Sequence, residues 1–241
     1  MEVLAETVRW FLDGANWAGR NGIPARLLQH LLLSAVPSVI AAALAIPPAL
    51  WLAHRRRAEF FANAVVNVGR AVPSFGVVVL LAVFWITRGW DFAFWPLVVA
   101  LVLLAVPPMF TNAYAGVADV DPALVEAARG MGLTERQVLI DVELPAALPV
   151  LLAGVRIAIV QVVATVALGA VVTSRTGGFG VYIVNGFARL RDGGDVVVLA
   201  GAILVALLTL ATERGFGLVE RAVLPRSLPA VHLPAQPPSH G

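Results

Sequence analysis

The side chains able to do chemistry are few among these 241 residues: 17 arginines with no lysine, 15 acidic residues, four histidines and no cysteine. Without cysteine there is no disulfide, thiolate metal site, iron–sulfur ligation or thiol nucleophile. His30, His54, His232 and His240 are too scattered for a metal site and read as interfacial or tail residues. Without lysine, the Gly-rich run Gly177-Gly-Phe-Gly180 is no phosphate loop of the Gly-x4-Gly-Lys-Ser/Thr type. It reads as an outer connection, either a plain loop or a short hairpin gate. No nucleophile–base pair is in evidence either. Two groups of residues remain. Arg70 and Arg156 stand inside apolar stretches, where an ionisable side chain is costly and defaults to function. They either reach the inner interface with their charged heads or line a path, where they meet the carboxylate of a solute. Pro73 and Pro107-Pro108 free backbone carbonyls in their helices. With them, Ser74, Thr111, Asn112, Gln161 and Thr165 either line a polar cavity or bond between helices. The second group is the polar segment 119–145.

The elements that carry these residues belong in a bilayer. Hydrophobic residues make up 59% of the chain and charged residues 13%, with a mean hydropathy of +0.86, whereas soluble domains carry about 25% charged residues. The net charge of +2 implies no nucleic-acid partner. Crossing about 30 Å of hydrocarbon takes about 20 helical residues. Five stretches qualify, at 28–53, 60–86, 92–114, 146–172 and 196–212, so an all-α polytopic membrane protein with about five spans is predicted. The cluster His54-Arg55-Arg56-Arg57 in the shortest loop faces the cytoplasm by the positive-inside rule. That puts the N-terminus outside, 115–145 inside and 173–195 outside, although Arg175, Arg189 and Arg191 then lie outside and weaken the bias. Trp85, Trp90 and Trp95 form an interfacial belt around the second loop. Residues 1–27 read as an interfacial segment rather than a signal peptide. Residues 225–241, with five prolines, read as a disordered tail.

Local rules alone shape the segment 119–145. Asp121 suits an N-cap and Pro122 the first helical position, so a short helix runs through Glu126, Ala127 and Ala128. Gly130 or Gly132 closes it in the left-handed conformation. Thr134 with Gln137 makes a capping box that starts a second short helix, which Pro145 limits. The product is a helical knob on the cytoplasmic face.

Glu126-Ala-Ala, Gly132 and Val142-x-Leu144-Pro145 together resemble the "EAA" loop of permease subunits of ATP-binding-cassette importers. The one departure is Val142, where that pattern usually has isoleucine. Arg70-Ala-Val-Pro-Ser-Phe-Gly76, Gly154-Val-Arg156, Gly177-Gly-Phe-Gly180, Gly201-Ala-Ile and Glu220-Arg-Ala-Val-Leu-Pro225 are similar to the osmoprotectant branch, which carries glycine betaine, carnitine, choline or proline. The resemblance implies a type I importer permease domain over 28–224 in the cell membrane. It also implies coupling by Asp121, Glu126, Ala127, Ala128, Gly132, Leu144 and Pro145, and a path touching Arg70, Pro73, Ser74, Arg156, Gln161 and Thr165. Such a chain is no enzyme and binds no cofactor itself. ATP and Mg sit on cytoplasmic ATPase subunits, a binding protein delivers solute outside, and a second permease copy or sister permease completes the path. A permease for methionine or another small amino acid is the nearest alternative. An ion-driven secondary transporter would need intramembrane acids or inverted repeats, and neither stands out in the sequence.

Overall fold

The computed structural model describes residues 2–56, 74–89, 94–172 and 177–223. Helix α1 (Glu2–Leu12) has Glu2 in its first turn and Arg9 in its last, which complements the helix dipole. A 3-10 turn (Gly14–Trp17) follows, capped by the Asp13 carboxylate accepting from the Ala15 N–H at 3.0 Å. Helix α2 (Ile23–His54) begins with proline in its first turn, where the missing N–H costs nothing. Its 32 residues extend about 48 Å, more than the hydrocarbon requires. Then come α3 (Ser74–Ile86) and α4 (Phe94–Ala118), followed by the short α5 (Pro122–Gly130) and α6 (Glu135–Gln137). A π-helical turn (Val138–Glu143) leads into α7 (Leu144–Val166). After α8 (Gly169–Val172), α9 (Gly180–Phe187) and a 3-10 turn (Leu190–Asp192), α10 (Gly194–Val223) ends the described chain.

Among the described residues, four helical segments are long and apolar enough to cross a membrane: 23–54, 94–118, 135–171 and 194–223. The remaining expected span, 60–86, is described only from Ser74 onward. Arg70, Pro73 and the tail 225–241 lie outside the described residues.

Helix α4 is the centre of the bundle, packed between α2 and α7. Its Leu97, Leu101, Ala105 and Met109 are buried with Ala41, Ala45 and Ala49 of α2 and Ala158, Val162 and Val166 of α7. The small residues of α2 and α7 let the backbones approach, which is how helices associate where lipid supplies no hydrophobic drive. At Gly154 of α7 the approach is closest: a Cβ there would lie 2.7 Å from the Pro108 carbonyl oxygen of α4. Helices α2 and α7 run antiparallel, since His30 meets Val163 near one end and His54 meets Glu143 near the other.

Two expectations need correction here. His30 is not interfacial; it is fully buried. Its Nδ1 accepts from the Phe179 N–H at 3.2 Å, so Nε2 carries the proton and donates to the Val163 carbonyl at 2.8 Å. Thr111 and Asn112 bond within their own helix rather than between helices. Each donates to a carbonyl of its own helix one turn back, Thr111 to Pro107 and Asn112 to Pro108, both at 2.8 Å. Helix α4 therefore runs unbroken through both prolines. The helix that carries the last span runs on past Thr212 to Val223, because charges at the membrane boundary end a hydrophobic stretch without ending a helix.

Candidate functional site

The knob is built as its caps dictate. The Asp121 carboxylate accepts from the Ala123 N–H at 2.8 Å, and Pro122 opens α5. Gly132 turns the chain with φ +89°, where a side chain is strained. Thr134 and Gln137 form the capping box, the Gln137 side-chain Oε1 accepting from the Thr134 N–H at 2.9 Å. Val125 and Ala128 of α5 pack against Val120 and Val138 in a small core of the knob itself. Ala128, 2% exposed, is thus a packing residue and does not face outward. The outward face holds Glu126 and Ala127 together with Leu124 and Met131, which are 49% and 76% exposed. Leu124, Ala127 and Met131 are spaced i, i+3, i+7, an apolar stripe that the sequence carried and that motif matching passed over.

The second short helix does not end at Pro145. Helix α6 passes through the π turn directly into α7, whose first turn holds Pro145. A wide π turn relieves the clash that a proline ring makes with the carbonyl four residues back. The knob is therefore continuous with a membrane span, and Leu144 packs against the main core. Replacing Gly132 by valine is expected to strain the turn by about 1–2 kcal/mol. Faster amide exchange confined to residues 131–138, with the spans unchanged, would register it.

A chain of charged groups fastens this knob to α2. Arg129 of α5 makes two parallel bonds to the Glu135 carboxylate, both 3.0 Å. That hydrogen bond is the largest cause raising the Arg129 pKa above its ordinary value. His54, the last residue of α2, places Nε2 3.0 Å from Glu135 and Nδ1 2.6 Å from Glu143. Glu143 is buried at 3% exposure. Beside the network lies a cleft of about 690 Å³ lined by Trp51, Arg55, Arg129, Arg136 and Leu139.

Arg156 of α7 is held by two carboxylates of α10, ion-paired with Glu213 and with Glu220 at 3.1 Å. Glu213 and Glu220 stand two helical turns apart and so share one face. Twenty residues of α10, counted from Gly194, end at Glu213, which sets the cluster at the inner boundary of a hydrocarbon layer about 30 Å thick. Gln161 is exposed and Thr165 half-buried. Five and nine helical residues from Arg156 correspond to turns of about 140° and 180°, so the three do not share a face. Ser74 opens α3, remote in sequence from all of them.

An all-helical bundle with a helical knob fused to a span defines a membrane permease of type I importer architecture. The family of binding-protein-dependent transport system inner membrane components matches residues 38–225, and the chain belongs to that family. It is therefore a multi-pass inner-membrane protein. It is 32% identical to the carnitine transport permease protein OpuCB of Listeria monocytogenes, over 83% of this chain and 87% of that one. It is 34% identical to the choline transport system permease protein OpuBD of Bacillus subtilis, over 82% and 83% of the two chains. It is 32% identical to the glycine betaine/carnitine/choline transport system permease protein OpuCD of Bacillus subtilis, over 93% and 92%. Among solved structures, the inward-facing MetNI methionine ABC transporter superposes with a TM-score of 0.68 at 23% identity, covering 83% of this chain and 95% of that one. At that identity the match speaks for the fold alone.

Proposed function

We propose that this chain is the membrane-spanning subunit of an ATP-driven importer for a quaternary-amine osmoprotectant such as glycine betaine, carnitine or choline. The observation that carries this is its identity of 32–34% to permeases named for those solutes, over more than four fifths of the chain. A methionine permease is favoured only by a likeness of fold. The chain itself hydrolyses nothing in this reading. ATP and Mg belong to two cytoplasmic ATPase subunits, an extracytoplasmic binding protein delivers solute, and a second copy or a sister permease completes the path.

In this mechanism the outward stripe Leu124, Ala127 and Met131 seats α5 in an apolar groove of the ATPase, and Glu126 accepts charge-assisted bonds at its rim. Closure of the ATPase dimer moves the knob. Because α6 and the π turn run into α7, that displacement enters the membrane through a covalent helix, and the bundle moves between inward-open and outward-open arrangements. Arg156, Glu213 and Glu220 hold α10 to the inner part of α7, so the two helices move together.

Uptake of labelled glycine betaine into vesicles, by the permease assembled with its ATPase and binding protein, tests the reading. ATP-dependent uptake that unlabelled carnitine or choline suppresses, and that methionine leaves alone, is expected. Uptake of methionine but not glycine betaine, or uptake driven by an ion gradient without ATP, would overturn it.

A further inference from the structure

The reading above leaves unexplained why α2, which shares no backbone with the knob, ends on a histidine wedged between two of its carboxylates. His54 Nδ1 lies 2.6 Å from Glu143 and Nε2 lies 3.0 Å from Glu135. Each ring nitrogen thus meets a different carboxylate, and the ring bridges the two. Glu143 belongs to the π turn and Glu135 to α6. One side chain therefore fastens a membrane span to both segments that join the knob to α7. Surface decoration does not account for this: Glu143 is 3% exposed and the His54 side chain 10%. A carboxylate is removed from water at such cost only against a partner. The network continues outward through Glu135 to Arg129 on α5 itself, the helix with the outward stripe.

The π turn makes this fastening necessary. A π segment is a weak point in a helix, and here it lies between the knob and the span that must feel its displacement. The backbone joins the knob to α4 on one side and to α7 on the other, but not to α2. Helix α2 packs on both α4 and α7, and without a bond to the knob it would follow only through side-chain contacts inside the membrane.

We infer that His54 is a positioning residue of the coupling step: its bridge to Glu143 and Glu135 makes α2 and the coupling knob move as one body when the ATPase closes. The inference rests on the coupling role of the knob proposed above, and that role has its own control.

The test uses the whole complex in vesicles, with solute-stimulated ATP hydrolysis compared with basal hydrolysis, and with retention of the ATPase as a second readout. His54→Leu breaks the bridge but strands the buried Glu143, so it is paired with the double variant His54→Leu/Glu143→Gln, which removes the buried charge together with its partner. In both, the ATPase is expected to stay bound and basal hydrolysis to persist. Stimulation is expected to fall about tenfold, a usual size for coupling between sites. His54→Arg supplies a side chain with donors able to reach both carboxylates, and the adjoining cleft of about 690 Å³ has room for its greater length. It is expected to keep at least half of the stimulation. A double variant stimulated like wild type would make His54 a mere counter-charge and overturn the inference, as would a His54→Arg variant no better than His54→Leu. Loss of the ATPase from the double variant would also overturn it, by making His54 part of docking. Glu126→Arg separates the two readings: if it leaves the ATPase bound, the knob is not the docking element, whatever the His54 variants do.

Discussion

Replacing Arg156 by leucine is expected to reduce the assembled permease in the membrane roughly fivefold, a usual consequence of a modest loss of stability in cells. Arg156 is ion-paired with both Glu213 and Glu220. Its removal leaves two carboxylates on one face of α10 without the cation that bridges them. Removing one member of such a cluster does more harm than removing the cluster, because the two surviving acids repel one another across one helix face. The triple variant Arg156→Leu/Glu213→Gln/Glu220→Gln is accordingly expected to recover most of the lost protein. Yield of monodisperse complex from solubilised membranes measures both. A single variant as abundant as wild type would mean that the cluster holds nothing together, and the joint movement of α7 and α10 would lose its support.

Gly154→Ala is expected to lower the melting temperature of the complex by about 3 to 10 °C, and Gly154→Leu to prevent its accumulation. The position is the contact between the two central helices. A Cβ there would sit 2.7 Å from the Pro108 carbonyl oxygen, which is backbone and cannot swing aside. Overpacking of this kind costs about 1–3 kcal/mol for a single methyl, which for a domain of this size is a few degrees per kcal/mol. The same oxygen accepts from Asn112 at 2.8 Å, so separating the helices also disturbs the side chain that steadies α4 after its prolines. Thermal unfolding in detergent followed by light scattering distinguishes the outcomes. An unaltered midpoint for Gly154→Ala would show that α4 and α7 are less closely packed than described.

The knob was legible in the sequence because capping is local. Asp121, Gly132 and the Thr134–Gln137 box each act within three or four residues, and all three have the predicted geometry. The apolar stretches were legible for the same reason: hydropathy is a property of the stretch itself. What escaped was decided by residues far apart in the chain. Arg156 meets acids 57 and 64 residues away, and His54 an acid 89 away. Glu213 was hidden because the apolar run ends just before it, although its helix continues for ten residues more. Pro145 misled in the opposite direction. It is a helix breaker by its own chemistry, yet the π turn before it makes it an ordinary first-turn proline. Ala128 has the same residue type as Ala127 and faces the other way, into the small core of the knob, which helical phase settles and composition does not.

The central claim is that α5 docks the energy-supplying subunit through its outward face. The most direct measurement is capture of the ATPase on tagged permease, comparing wild type with Glu126→Arg and with the stripe variant Leu124→Asp/Met131→Asp. Both sets of changes lie on exposed positions and leave the knob's core of Val125, Ala128 and Val138 intact. ATPase retained by wild type and lost from both variants, with the permease equally abundant in all three, is the predicted result. Equal retention by all three would contradict the account.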